Sequence, residues 1–214
     1  MKSFYVVIDG LDGCGKGTQI KLLSERCKVE YPDQVVFVRE PGGTFFAEKI
    51  RGLILDPEAK NSPALVSMLL FFAARGELVQ QLVIPTLEKG KMVISDRGDS
   101  STFAFQIFGE EQHSLTDLFK KLRKEIFNSL FRGAPDLYIF LELTAEEAYR
   151  RTAHDKNRVQ THFDLRPIEY HQRVRQGFRV FGRTFGGSVT VDASGSVEEV
   201  HEKIWQVIHE FFNS

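Results

Sequence analysis

Five short apolar segments, rich in β-branched residues, stand apart along the chain. They cover residues 4–9, 34–40, 91–96, 136–143 and 188–193. Each is apolar at consecutive positions, which indicates strands buried on both faces. Apolar residues recur with helical spacing over 15–28, 64–88, 114–131, 145–153, 167–183 and 196–212. Strands that alternate with helices predict an α/β fold, with a five-stranded parallel sheet wrapped by helices and ligands at the carboxyl ends of the strands.

The length of the chain suits a single domain. Its 214 residues are enough for one sizeable core, and we find no linker, repeat or low-complexity tract that would divide 1–214 into two. Residues 154–166 are polar, charged and flanked by helices, so they are predicted to form a mobile loop.

Charge and cysteine content exclude several classes of protein. The 28 basic and 29 acidic side chains give a net charge of −1, which leaves no excess for binding a nucleic acid polymer. Two cysteines without a metal-binding spacing favour a reducing compartment, and we expect the cytoplasm. The apolar stretch that starts at Ala64 is shorter than the ~18 residues of a membrane span, so no membrane association is expected.

A glycine-rich turn follows the first predicted strand. Gly10, Gly15 and Lys16 fit the phosphate-loop (P-loop) pattern G-x-x-x-x-G-K, in which backbone amides, a helix N-terminus and the lysine hold phosphate. Strand, turn and helix follow in the required order, which argues against a chance glycine turn. The residues predicted to hold a bound nucleotide are Gly10, Leu11, Asp12, Gly13, Cys14, Gly15, Lys16, Gly17 and Thr18.

Further blocks narrow the choice among P-loop proteins. They are REPGGT at 39–44 with EKIR at 48–51, FFAAR at 71–75, SDRGDSSTFAFQ at 95–106, HQRVRQGF at 171–178 and VDASGSVEEVHEKI at 191–204. In this order they resemble the blocks of bacterial thymidylate kinases. The resemblance implies a P-loop NTPase fold and phosphorylation of dTMP to dTDP by Mg·ATP, a step of dTTP biosynthesis. It also implies a homodimer that uses the helices starting near 64 and 114.

The resemblance assigns three arginines to the acceptor phosphate, namely Arg51, Arg75 and Arg97. A planar guanidinium suits that role because it grips phosphate bidentately. Phe71 is placed as a stacking surface for thymine, although a phenylalanine on a helix is otherwise usually a core residue. The remaining residues assigned to the pyrimidine edge or the sugar are Ser101, Thr102, Phe105 and Gln106.

Acidic and hydroxyl groups complete the implied site. Asp12 matches the residue that binds the acceptor sugar and organises Mg²⁺, and Thr18 is the hydroxyl nearest to Lys16 that could ligate the metal. Asp96 suits the Mg²⁺ shell, with a helix N-cap as the alternative. Asp9 is expected at least to pair with a neighbouring cation. Ala193, in VDASGS, is placed beside the adenine ring.

A lid is implied over about 150–166. It would supply Arg151 and Arg158 as cations that act in the transition state beside Lys16, Asp96 and Arg97. The later lid block can be seated on 157–160 or on 161–164, and a solvated basic face is the simpler alternative.

One substitution bears on the acceptor. Gly98 stands where relatives more often carry an aromatic residue or histidine, so we expect extra room over the acceptor pocket. Together with Phe105, it leaves open a kinase for another pyrimidine monophosphate. The imperfect lid leaves open a nucleotide-binding sensor without turnover.

Overall fold

The computed structural model describes residues 3–130, 133–154 and 161–213. Its five strands are β1 (Tyr5–Gly10), β2 (Val35–Arg39), β3 (Met92–Asp96), β4 (Leu137–Glu142) and β5 (Ser188–Asp192). All pairings are parallel, in the order β2-β3-β1-β4-β5. The predicted five-stranded parallel sheet is therefore confirmed. The three central strands are almost wholly buried, whereas the edge strands β2 and β5 are partly exposed.

Helices cover both faces of the sheet. On one face α1 (Lys16–Glu30) packs against the C-terminal α9 (Val197–Phe212). The other face carries the remaining helices. They are α2 (Phe45–Leu55), α3 (Ala64–Leu78), α4 (Ile84–Glu88), α5 (Asp99–Thr102), α6 (Thr116–Phe127), α7 (Ala145–His154) and α8 (Ile168–Phe185). Short 3-10 helices cover Pro57–Asn61 and His113–Leu115.

Two π-helical turns interrupt these helices. Val79–Val83 joins α3 to α4 in one continuous helix. It ends two positions before Pro85, which has no amide hydrogen to complete an α-helical ladder. Phe103–Gly109 continues α5 and packs along α8.

Neither α2 nor α5 with its π-helical continuation was predicted from the sequence. In α2 the buried residues Ala47, Ile50 and Ile54 have helical spacing, and the Thr44 hydroxyl caps the helix by accepting a hydrogen bond from the amide of Ala47 at 3.2 Å. The pattern was therefore present in the sequence at α2.

The helical segment Ala64–Glu88 is long and apolar enough, by length and composition alone, to cross a membrane. Core helices of soluble proteins pass the same test, and here one face of the segment packs on the protein. Arg75, in the middle of the segment, is buried and its Nε lies 2.7 Å from Glu40 Oε2. The segment therefore contributes a charged group to the interior of the fold.

Candidate active site

The P-loop links β1 to α1 and is shaped by its glycines. Gly13 and Gly15 have φ of 84° and 86°, which favours glycine, and a Cβ on Gly13 would overlap the carbonyl oxygen of Ala148 in α7. Gly15 caps α1 without any side-chain hydrogen bond. The first amides of α1 are therefore available to an anion at the positive end of the helix dipole.

Lys16 lies at the centre of this loop. Its side chain is largely buried, and its Nζ is 3.9 Å from Asp96 Oδ1 at the end of β3. Among the described residues, Asp96 Oδ1 is buried without a hydrogen-bond partner. Asp96 does not cap α5, because Gly98 holds the N-cap position and no side chain bonds there. The N-cap alternative for Asp96 is thus wrong.

The other predicted nucleotide contacts fall into two groups. Thr18 and Gly17 are exposed in the first turn of α1, whereas Leu11 and Cys14 are buried beneath the loop. Burial raises the pKa of the Cys14 thiol, so it stays neutral and packs as an apolar group. Ala193 is also buried, and its amide donates to the carbonyl of Glu142 at 2.9 Å, which fixes the loop after β5.

Arg97 reaches from β3 over the P-loop. Its φ of 71° is unusual for a residue with a side chain, and such backbone conformations concentrate at functional sites. Arg97 Nη2 donates to Asp12 Oδ1 at 2.7 Å, and Nη1 donates to Ser101 Oγ at 3.0 Å. Burial opposes the charge, but Asp12 and Asp9 raise the pKa of Arg97 above its ordinary value. The guanidinium is therefore a fixed cation.

Asp9 supports Arg97 from below. Its carboxylate is fully buried, lies 3.4 Å from Arg97 Nη1 and accepts hydrogen bonds from Ser100, Ser101 and the amide of Gly10. Burial raises the pKa of Asp9, while Arg97 and Lys16 oppose that shift. The predicted pairing of Asp9 with a neighbouring cation is confirmed.

A cleft of about 120 Å³ opens beside Arg97. It is lined by Asp12, Glu40, Pro41, Arg51, Leu55, Phe71, Arg97, Ser101, Phe105, Gln106, Thr161 and Phe163. Cations and Asp12 lie at one end and aromatic rings at the other, as a phosphorylated aromatic ligand requires. The structure thus brings together most of the predicted acceptor residues.

Arg51 belongs to the charged end. Its Nη1 donates to the carbonyl of Pro41 at 2.8 Å, which holds the half-buried side chain at the cleft wall. Burial and the nearby Arg39 lower the pKa of Arg51. The negative charge of an arriving phosphate would oppose both effects and stabilise the charged guanidinium.

Arg75 lies behind the cleft and does not line it. Its guanidinium is fully buried, with Nε 2.7 Å from Glu40 Oε2 and Nη2 donating to Thr102 Oγ1 at 3.0 Å. Burial raises the pKa of Glu40 to about 7, against the opposing charge of Arg75. Arg75 was predicted to bind the acceptor phosphate together with Arg51 and Arg97. In the structure, neither Arg75 nor Thr102 is among the residues that line the cleft.

The buried side-chain atoms without a hydrogen-bond partner among the described residues include Arg75 Nη1, a donor, and Gln106 Oε1, an acceptor. Each such group is costly unless a ligand or water satisfies it. Phe71 is half-buried in the cleft wall, and Phe105 is buried with Arg97 5.5 Å above its ring.

Several cleft residues were not predicted, above all Thr161 and Phe163. They lie in a turn between α7 and α8, and the sequence placed them only in the 161–164 alternative for the lid block, not in the acceptor site. Glu40 and Pro41 lie in the REPGGT block, so their position in the chain could have singled them out. The peptide bond between them is cis.

Gly98 corrects one prediction. A Cβ at this position would lie 2.9 Å from Cγ1 of Val7, a buried residue of β1. Gly98 thus accommodates Val7 below the sheet edge and is not among the residues that line the cleft. The expected extra room over the acceptor is wrong, because the missing side chain points into the core.

The predicted lid is only partly covered. Arg151 lies in α7, and its Nε donates to Glu147 Oε1 at 2.8 Å, one turn earlier. Arg150 bonds the same carboxylate. Arg158 lies outside the described residues, and so does the whole range 157–160, the first alternative for the later lid block.

Comparisons with known proteins agree on one family. The family model described as "Thymidylate kinase" matches residues 8–204. A thymidylate kinase of Prochlorococcus marinus (strain AS9601) is 33% identical, with 100% of this chain and 99% of that protein covered. One from Symbiobacterium thermophilum is 38% identical, with 97% and 94% covered. The crystal structure of thymidylate kinase from Ehrlichia chaffeensis superposes with a TM-score of 0.75 at 26% identity, covering 97% of this chain and 100% of that chain.

Proposed function

The chain belongs to the thymidylate kinase family, and on that premise we propose how its site transfers the terminal phosphoryl group of ATP to dTMP. The main support for this proposal is the position of Arg97. It bridges the P-loop and a cleft with a cationic and an aromatic end. Donor and acceptor phosphates would meet there.

The donor end is assigned to the P-loop. Its amides and Lys16 would hold the outer phosphates of ATP, since the ammonium has no hydrogen-bond partner among the described residues. Ala193 and the neighbouring backbone are proposed beside the adenine, because the loop after β5 is tied to β4.

The acceptor phosphate is assigned to Arg51 and Arg97. Both guanidinium groups line the cleft, and both are fixed by contacts to the protein before any ligand arrives. Preset cations stabilise developing charge without reorganisation. Asp12, which fixes Arg97, also faces the cleft and would accept a hydrogen bond from the sugar hydroxyl.

The base is assigned to the aromatic end. Phe71 would stack on the pyrimidine ring and Phe105 would pack beside the sugar, with Ser101 between the base site and Arg97. A thymine presents both a carbonyl acceptor and an imide donor. Arg75 Nη1 and Gln106 Oε1 would satisfy them, with Thr102 holding Arg75 in place, so we move Arg75 from the phosphate to the base.

The acidic groups fit a magnesium ion that accompanies ATP. Asp96 offers a buried oxygen that has no hydrogen-bond partner among the described residues. Asp12 lies in the P-loop, and the exposed Thr18 lies in the first turn of α1. No group of three His, Cys, Asp or Glu within the described ranges could hold a metal by itself. Mg²⁺ often needs only one or two carboxylates besides phosphate and water. When bound, it would neutralise charge on the outer phosphates of ATP.

The transfer itself needs no enzyme nucleophile. An oxygen of the dTMP phosphate attacks the γ-phosphorus in line, the bond to the bridging oxygen of ADP breaks, and dTDP forms. The protein contributes position, charge and exclusion of water. Arg151 and Arg158 remain proposed as lid cations over about 150–166 of a single domain, 1–214. Arg151 would leave Glu147 on closure.

A homodimer is proposed on the exposed apolar surface of α2, α3 and α6. Leu53, Leu65, Val66, Leu69 and Leu118 are exposed there. α3 contacts both α2 and α6, so these residues lie on neighbouring helices. We also propose a cytoplasmic enzyme that binds neither membrane nor nucleic acid polymer, which the near-zero net charge and the two free cysteines support.

The proposed mechanism predicts sequential kinetics. Initial rates measured against ATP and dTMP together should give intersecting reciprocal plots. Labelled ADP should not exchange into ATP unless dTMP is present. Parallel plots with exchange in the absence of dTMP would instead require a covalent enzyme intermediate. No observation favours a kinase for another pyrimidine monophosphate, because Gly98 faces Val7 and not the cleft. None favours a nucleotide-binding sensor without turnover, because Lys16 lies beside Asp96 and Arg97 is bonded to Asp12.

A further inference from the structure

Phe163 closes the aromatic end of the cleft. Its ring centroid lies 6.4 Å from that of Phe71 in α3 and 6.2 Å from that of Phe105 in the π-helical turn. Phe163 therefore lies beside both the ring assigned to the base, Phe71, and the ring assigned to the sugar, Phe105. Of the three, Phe163 is the one that does not come from a helix.

The turn that carries Phe163 is held by its own hydrogen bonds. The buried Asp164 accepts hydrogen bonds from the amide and the hydroxyl of Thr161, at 2.8 and 2.9 Å. Arg166 forms an ion pair with Glu110, at the end of the π-helical turn, and its carbonyl lies 3.2 Å from Nε2 of His171. The position of Phe163 is therefore set from both sides.

A second cavity lies beyond Phe163. It is small, about 10 Å³, and among the described residues Phe163 and Gln106 line both this cavity and the acceptor cleft. The other lining residues are mostly polar or charged, namely Ala59, Lys60, Ser62, Ala64, Ser67, Glu110, His162 and Arg166. Phe163 and Gln106 thus form the partition between the two spaces.

We propose that Phe163 is a specificity-determining residue that limits the acceptor site to a single-ring base. The inference rests on the proposed function and extends it to the choice of acceptor. A purine base is longer than a pyrimidine by one fused ring, so it needs space on the far side of the partition. Truncation of Phe163 would vacate the space that its ring now fills, open the cleft towards the small second cavity, and remove an apolar wall from the pyrimidine.

The test compares Phe163→Ala with the parent chain. We expect the KM for dTMP to rise roughly 10-fold and the preference for dTMP over dGMP, as a ratio of kcat/KM, to fall at least about 10-fold. The KM for ATP should stay unchanged. Leu165→Ala is the matched control, because Leu165 lies in the same turn but is 63% exposed and does not line the cleft.

Equilibrium binding separates a base contact from a merely structural role. By titration calorimetry, Phe163→Ala should lose affinity for dTMP but keep the affinity of the parent chain for 2-deoxyribose 5-phosphate, which has no base. Equal losses for both ligands would show that Phe163 only holds the fold, and they would overturn the proposal. Unchanged dTMP affinity and unchanged discrimination against dGMP would overturn it as well.

Two further results separate a failure of the Phe163 proposal from a variant that does not fold and from a failure of the proposed function. If Phe163→Ala does not fold, as judged by circular dichroism, Phe163→Leu replaces it and should show the same changes in smaller measure; wild-type discrimination in that variant would contradict the proposal. If the parent chain binds dTMP without transferring phosphate, the proposed function fails. The binding comparison still decides whether Phe163 contacts the base.

Discussion

Arg97 Nη2 lies 2.7 Å from Asp12 Oδ1, so a residue at the end of β3 is fixed to the middle of the P-loop. The same guanidinium lies 5.5 Å above the ring of Phe105 in the acceptor cleft. One side chain thereby joins the donor site to the acceptor site. Its left-handed backbone makes this reach possible.

Replacement of Arg97 by lysine should therefore be far from conservative. Lysine keeps the charge but loses the planar fork that contacts Asp12 and Ser101 together. We expect kcat/KM for dTMP to fall about 100-fold while the KM for ATP changes by less than about twofold. Arg183→Lys, at an exposed position of α8, serves as the control. An unaltered kcat/KM for dTMP would remove Arg97 from the acceptor site.

The buried pair of Glu40 and Arg75 should give a pH-dependent stability. The pKa of Glu40 is raised to about 7 by burial, so between about 4.5 and 7 the folded chain binds a proton that the unfolded chain releases. This contribution is fully present below about pH 4.5 and is lost as the pH rises through 7. Relative to Glu40→Gln, the free energy of unfolding of the parent chain should fall over that window. Parallel profiles from urea titrations would contradict the raised pKa.

Gly98→Ala tests the contact with Val7. The added methyl would press on a buried side chain 2.9 Å away, and we expect a loss of about 1–3 kcal/mol in the free energy of unfolding. The KM for dTMP should not change. In the double variant with Val7→Ala, much of the loss should be recovered, which a double-mutant cycle measures. A changed KM for dTMP with unchanged stability would favour the pocket interpretation that the structure overturned.

The proposed homodimer depends on the exposed apolar surface of α3. Leu69→Lys should shift the chain from dimer to monomer in sedimentation velocity, since a charge in an apolar interface is poorly accommodated. Val29→Lys, on α1 and 80% exposed, should leave the dimer intact. A parent chain that is monomeric at micromolar concentration would exclude the homodimer.

Sequence alone predicted the sheet because five segments are apolar over consecutive residues, as in Met92–Asp96. It missed α2, where buried Ala47 and Ile50 were present at helical spacing but Phe45, at 81% exposure, obscured the pattern. The central P-loop and cleft residues were found because motif spacing marks them. Phe163 was not identified as a cleft residue. It lies in an irregular turn, and only the tertiary structure brings it against Phe71.

Gly98 shows a related limit. Sequence comparison indicates that a side chain is missing there, but not the direction in which that side chain would point. The backbone directs it towards Val7, and only the packing of β1 against the end of β3 reveals this. Arg75 was likewise predicted to hold the acceptor phosphate, but its pairing with Glu40 places it in the interior.

The most direct measurement is ADP release from Mg·ATP with dTMP, dUMP, dCMP, dGMP and UMP as acceptors. Lys16→Ala provides the blank, and Lys21→Ala, exposed on the same helix, provides the matched control. The structure predicts that dTMP is preferred, that Lys21→Ala is unaffected and that Lys16→Ala loses at least about 100-fold in kcat. Binding of ATP without ADP release for any acceptor, or equal rates in Lys16→Ala, would contradict phosphoryl transfer at this site.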